Sequence, residues 1–175
     1  MHVPELERSI GIEAYVTRSS GIGGVIRRNI EDFMVEEVLV DGSKAEIDRT
    51  RNVSPTPLHS SKVKDHRNHH LLCILVKRDW DTFLALKAIG KRLCVDPEQI
   101  QIAGIKDANA VTAQFITIKN MSAKETEKVQ VKDINIRPMG YFHSKLSSYW
   151  LLGNQFQITV RAIRYSESET KKRAV

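Results

Sequence analysis

Residues 102–114 read IAGIKDANAVTAQ, and the whole chain can be parsed outward from them. An apolar stretch halts at Gly104, Lys106 and Asp107 occupy a polar turn, and a β-branched segment resumes as TAQFITIK from Thr112 to Lys119. The pattern is strand, turn, strand, with the entering strand over Ile100 to Ala103. Gly104 permits backbone geometry that other residues resist, so the turn can project Lys106 and Asp107 from the end of a strand. A carboxylate there has two readings. It is an Asx-turn acceptor that stitches the bend together, or it is a nucleophile or base on a rigid support, kept ionised by a nearby cation.

Upstream, DTFLALKAIGKRLCV places Phe83, Leu86, Ile89 and Leu93 at three- to four-residue spacing, with Lys87, Lys91 and Arg92 on the other side. This predicts an amphipathic helix capped by Asp79 or Asp81 and stopped at Asp96-Pro97. HLLCILVK before it is a continuously apolar, fully buried strand. Further upstream, GGVIRRNIEDFMVEEVLV gives two short strands, Val25 to Arg28 and Phe33 to Val40, joined by a turn over Asn29 to Asp32. Residues 1–21 carry no sustained period and read as an irregular lead-in. The polar stretch from Asp41 to His70, with Pro55, Pro57 and KVKDHRNHH, is a long loop or insertion.

Downstream, Ser122 to Glu125 (SAKE) has the spacing of a capping box for a short helix. VKDINIRP and NQFQITVRAI are strands; in the second, Phe156, Ile158 and Val160 share one face. The tail RYSESETKKRAV has no core-forming pattern and reads as a linker or disordered end. Six or seven strands with two helices in irregular order predict an α+β fold with a mixed, mostly antiparallel sheet and flanking helices.

At 175 residues, 41% hydrophobic and 27% charged, the composition is that of a soluble globular domain. Lys+Arg 27 against Asp+Glu 21 favours a polyanionic partner, nucleic acid first. The start MHVPELERSIG is acidic where a signal peptide needs a basic start. The longest apolar run, LLCILV, falls far short of the roughly 20 residues of a spanning helix, so a cytoplasmic location is expected. Cys73 and Cys94 lack C-x-x-C spacing and read as buried free thiols. His59, His66, His69 and His70 invite a metal, but no cysteine or carboxylate set completes a site, and none is expected. Lys62, Lys64 and Arg67 in the same run suit phosphate contacts.

Three segments occur in order along the chain: GIGGVIRRNIEDFMVEE; DWDTFLALKAIGKRL followed by IAGIKDANAVTAQ; and LLGNQFQITVR. Together they resemble the TruD-type pseudouridine synthases, over about Gly21 to Ile163, with A-G-x-K-D-x-x-A-x-T-x-Q as the most specific part. The resemblance implies that Asp107 is the catalytic aspartate and that Phe33, Asn154 and Phe156 form the pocket around the target nucleotide. Arg27 stands where the family carries a basic residue, usually lysine, and would make the ion pair to Asp107; Lys106 would assist or contact phosphate. Taken singly, Phe33 and Phe156 read as core aromatics, Gly153-Asn154 as a turn pair and Arg27 as a solvated side chain.

The implied activity is an isomerase that converts uridine to pseudouridine in transfer RNA, usually at position 13. It needs no cofactor, which agrees with the absence of a phosphate loop, a dinucleotide fingerprint and metal spacing. A flipped uracil needs an aromatic and an amide to hold it. Asp107 would attack ribose C1′ or uracil C6, or act as a base at the sugar. Residues 1–164 are expected to be the N-terminal part of the catalytic domain and 165–175 the linker or disordered tail. The family's catalytic domain is completed by sequence beyond this length, so the chain is expected to be part of a longer protein. The other reading is a non-catalytic RNA-binding half-domain that needs the missing C-terminal part.

Overall fold

Two apolar runs supply the centre of the sheet. The computed structural model describes residues 3–16, 21–48, 69–126, 128–142 and 144–174. Among them, β1 (Phe33–Leu39), β2 (His70–Arg78), β3 (Ile100–Ile102), β4 (Val111–Lys119), β5 (Ile134–Phe142) and β6 (Leu151–Ile158) form one sheet in the order β5-β2-β4-β1-β6, with β3 also on β4. β1 and β4 run parallel; every other pairing is antiparallel. The α+β, mostly antiparallel fold expected from the sequence is the one observed. β2 and β4 are central and buried on both faces, which is why they read as unbroken apolar runs. Pro138, which cannot donate to a ladder, lies in β5 at the sheet edge.

Helix α1 is Glu5–Ser9, α2 is Thr82–Leu93, α3 is Ala123–Thr126 and α4 is Glu167–Ala174. Asp81 caps α2, its side chain accepting from the Leu84 amide at 3.0 Å. The helix packs on the sheet through Ala85 and Ile89, together with Leu71, Cys73, Leu75, Ile116 and Ile118. Leu39, Leu72, Ile74, Phe115 and Leu146 form a second cluster. In α3 the expected capping box is present: the Ser122 amide donates to the Glu125 carboxylate at 2.9 Å, and the Glu125 amide returns to Ser122 Oγ.

Several expectations need correction. Val25 to Arg28 is not a strand; Val25 makes only an isolated bridge to Arg161, and Arg27 sits in the left-handed region at φ 56°. The turn expected over Asn29 to Asp32 is present, as one turn of 3-10 helix over Ile30–Asp32. The lead-in holds the short α1, and the tail contains α4. No residue of α4 is buried, in keeping with its polar sequence. β6 ends at Ile158, so Val160 to Ile163 are not part of it. Of the face expected for α2, Ile89 is fully buried and Leu86 and Leu93 pack against the core, but Phe83 is 60% exposed and Thr82, Ala85 and Gly90 are buried in addition. The stretch from Asp41 to His70 ends earlier than expected, since His70 opens β2. Residues 49–68, with His59, His66, Lys62, Lys64 and Arg67, lie outside the described residues.

The chain divides into two compact units. The first comprises residues to Val25 and from Val160 on, joined by the reciprocal Val25–Arg161 backbone bridge at 2.8 and 2.9 Å. Gly24 makes this bridge passable. Its φ is +94°, and a Cβ there would lie 2.7 Å from the Arg161 carbonyl oxygen. The second unit, Ile26–Thr159, carries the whole sheet and every candidate site residue.

The two cysteines part company. Cys73 is fully buried, and burial pushes its thiol far up; Cys94 is exposed at the left-handed C-cap of α2. Native alkylation followed by mass-spectrometric mapping should therefore label Cys94 promptly and Cys73 only after unfolding, because the reactive thiolate cannot form in the core.

Candidate active site

The loop that carries Asp107 stands off the sheet for a topological reason. β3 lies along Ile116–Ile118 of β4, and β1 takes the same edge over Val111–Ala113. The β3–β4 hairpin cannot close along β4, so residues 103–110 must leave the sheet. Backbone bonding then immobilises them. Gln114 donates to the Gly104 carbonyl at 3.1 Å, and Thr82 Oγ1 both donates to the Lys106 carbonyl (3.0 Å) and accepts from its amide (3.2 Å). The Asp79 amide donates to the Ala110 carbonyl at 3.1 Å.

At the tip, Arg27 Nη2 donates to Asp107 Oδ1 at 2.6 Å. The guanidinium carbon lies 3.7 Å from the centroid of the Phe33 ring. Phe33 in turn meets Phe156 edge to face, centroids 5.8 Å apart. The side chains of Arg27 and Asp107 are 37% and 33% exposed, so the pair contributes under about 1 kcal/mol to folding. Its consequence is orientation. Arg27 is held over the aromatic by a left-handed backbone that a non-glycine residue adopts only at a cost, a pattern concentrated at functional sites. Asp107 Oδ2 has no hydrogen-bond donor among the described residues and remains available to a substrate.

Strand register explains how the aromatics converge. β1 and β6 pair Phe33 with Ile158, Val35 with Phe156 and Glu37 with Asn154, and directly opposed residues share a face. Phe33 is buried, whereas Phe156 is half-exposed and Asn154 exposed, so the last two present a ring and an amide to solvent. Arg27, Phe33, Phe156 and Asp107 are thus one contiguous group, and Asn154 follows Phe156 along the same face. A separate cleft lined by Met34, Glu36, Ile47, Asp48, Gln155 and Gln157 opens on the opposite face.

Lys106 is the one site residue that the fold places differently. Its side chain is 3% exposed and its ammonium pairs with the Glu37 carboxylate at 2.6 Å, so it points into the protein and cannot reach a phosphate. Glu37 also accepts from the Phe115 amide at 2.7 Å. Burial pushes the Glu37 carboxyl up, opposed by the Lys106 ammonium and the Phe115 amide. Glu37, Thr82, Gln114 and the buried Lys77 were not singled out from the sequence. A signal existed for two of them: charge at inward positions of otherwise apolar rows, Phe33-Val35-Glu37-Leu39 and Leu71-Cys73-Leu75-Lys77. No group of three or more His, Cys, Asp or Glu able to hold a metal occurs among the described residues, and none of their helices is long and apolar enough to cross a membrane.

The chain is thus of the α+β class, a mixed sheet with a loop-borne aspartate salt-bridged to arginine beside paired aromatics. Comparison with known proteins narrows the class. The chain belongs to the tRNA pseudouridine synthase D (TruD) family, whose model matches residues 9–175. It is similar to curated relatives of that name from Methanosarcina mazei, 35% identical over 171 residues, and Methanosarcina barkeri, 33% identical over 172 residues. Each match covers 98% of this chain and 34% of the relative. A crystal structure of the M. mazei TruD protein superposes with a TM-score of 0.80 at 35% identity, covering 99% of this chain and 35% of that one. The chain therefore spans about a third of the length of the relatives it matches.

Proposed function

We propose that this chain is the Asp107-bearing part of a cytoplasmic isomerase that converts uridine to pseudouridine in transfer RNA, position 13 being the family's usual target. One observation carries the reading: a carboxylate on a backbone-locked loop, one oxygen held by Arg27 and the other free, beside a half-exposed aromatic. In the reaction the C1′–N1 bond breaks, the uracil turns, a C5–C1′ bond forms, C5 loses its proton and N1 gains one. The atoms balance without cofactor, metal or oxidant. Phe156 would stack on the extruded base and Asn154 would bond its polar edge, as a flipped nucleotide requires. Asp107 would act on ribose C1′, on uracil C6 or as a base at the sugar.

The test is turnover on unmodified transfer RNA by the full-length protein, with the 175-residue chain alongside and pseudouridine located by primer extension after carbodiimide treatment. The expected result is one modified uridine from the full-length protein. Absence of pseudouridine despite tight, salt-dependent RNA binding would overturn the enzyme reading in favour of an RNA-binding module.

A further inference from the structure

Lys77 is a buried ammonium in a row that otherwise carries Leu71, Cys73 and Leu75. Burying a charge is costly unless something returns the energy, and a leucine or methionine would serve the core better. What Lys77 obtains is three main-chain oxygens: those of Trp80 at 2.7 Å, Lys106 at 3.3 Å and Asp107 at 2.5 Å. An ammonium has three N–H donors, so the set is saturated. Two of the three acceptors belong to the peptide units that flank the Asp107 side chain. We propose that Lys77 is a positioning residue, its ammonium gathering the carbonyls of Trp80, Lys106 and Asp107 so that the Asp107 carboxylate is presented at Arg27; this rests on the reading of Asp107 as the reacting group.

The chemistry sets a condition. A neutral amine has two N–H bonds for three acceptors, so deprotonation releases one carbonyl and loosens the loop. Burial pushes the Lys77 ammonium down to about 8, with the Lys106 ammonium adding to the effect and the Asp81 and Asp107 carboxylates opposing it. Those are the charged groups that face it from the α2 cap and from the loop.

The test uses the full-length protein with unmodified transfer RNA under single turnover. Lys77→Met keeps the length and removes the donors. The rate of product formation should fall about 100-fold, the cost typical of a misplaced reacting group, while transfer RNA affinity stays within about threefold of wild type. A folded Lys77→Met protein within about threefold of the wild-type rate overturns the proposal. If the variant does not fold, the wild type decides: the Lys77 13Cε resonance and the amide resonances of Asp107 and Ala108 should share one pH midpoint, and a loop that ignores the titration overturns the proposal. Asp107→Asn is run in parallel. Full activity there refutes the reacting-group reading and Lys77 with it, whereas an inactive Asp107→Asn beside an active Lys77→Met refutes the Lys77 role alone.

Discussion

Replacing Asp107 by asparagine in the full-length protein should lower pseudouridine formation by at least about 10⁴-fold, the scale on which loss of an essential reacting group falls. Asparagine is nearly isosteric, and its amide oxygen can still accept from Arg27 Nη2, which now bonds Oδ1 at 2.6 Å. The backbone should not move, because the loop is held through the carbonyls of Gly104, Lys106 and Asp107 and not through the Asp107 side chain. Transfer RNA binding should therefore survive while chemistry stops. Asp107→Ala run beside it guards against deamidation of the new asparagine. Activity within tenfold of wild type in both variants would return Asp107 to the role of a turn residue. A rate loss matched by an equal loss of RNA affinity would make it a binding residue instead.

The sequence alone exposed the parts of the site that local chemistry marks, and it hid the parts created by long-range packing. The Gly104 break and the Lys106-Asp107 turn were legible because they interrupt two strands. The pairing of Arg27 with Asp107 spans 80 positions and was reached only through family resemblance. The strand expected at Val25 to Arg28 failed because short apolar spacing cannot distinguish a strand from a segment held by one bridge and one left-handed residue. In α2, Leu86, Ile89 and Leu93 face the core as expected, but Thr82, a polar residue, is drawn inward by the Lys106 backbone and Phe83 lies at the surface. Lys106 shows the same blindness in reverse. As one of two polar residues in a turn it is expected to project from the strand end, yet Glu37 on β1 draws it into the interior.

That buried pair should dominate the stability of the unit that carries the site. Glu37 and Lys106 are 0% and 3% exposed in their side chains and 2.6 Å apart. Removing one partner from such a pair costs about 3–5 kcal/mol, because the other charge is left in a dry environment. The two halves should not be equal. Glu37→Met strands the Lys106 ammonium and also leaves the Phe115 amide of central strand β4 unpaired, a further loss of about 1–3 kcal/mol. Lys106→Met strands a carboxyl that burial already biases toward its neutral form, so that carboxyl can take up a proton and remain buried at lower cost. The sign follows from linkage. With the folded-state pKa raised, the native state holds the extra proton, so the Lys106→Met protein should regain stability as pH falls through the raised pKa of Glu37 and lose it as pH rises through that value. Glu37→Met should show no such recovery. The double replacement, apolar on both sides but with the Phe115 amide still unpaired, should cost less than Glu37→Met alone. Denaturant titrations of the four proteins at neutral and mildly acid pH read all of this from midpoints at constant slope. Equal costs for the two single variants, unaffected by pH, would mean that the pair is solvated in practice. Lys106 would then be free to turn outward, and the phosphate-contacting role implied for it by the family resemblance would be open again.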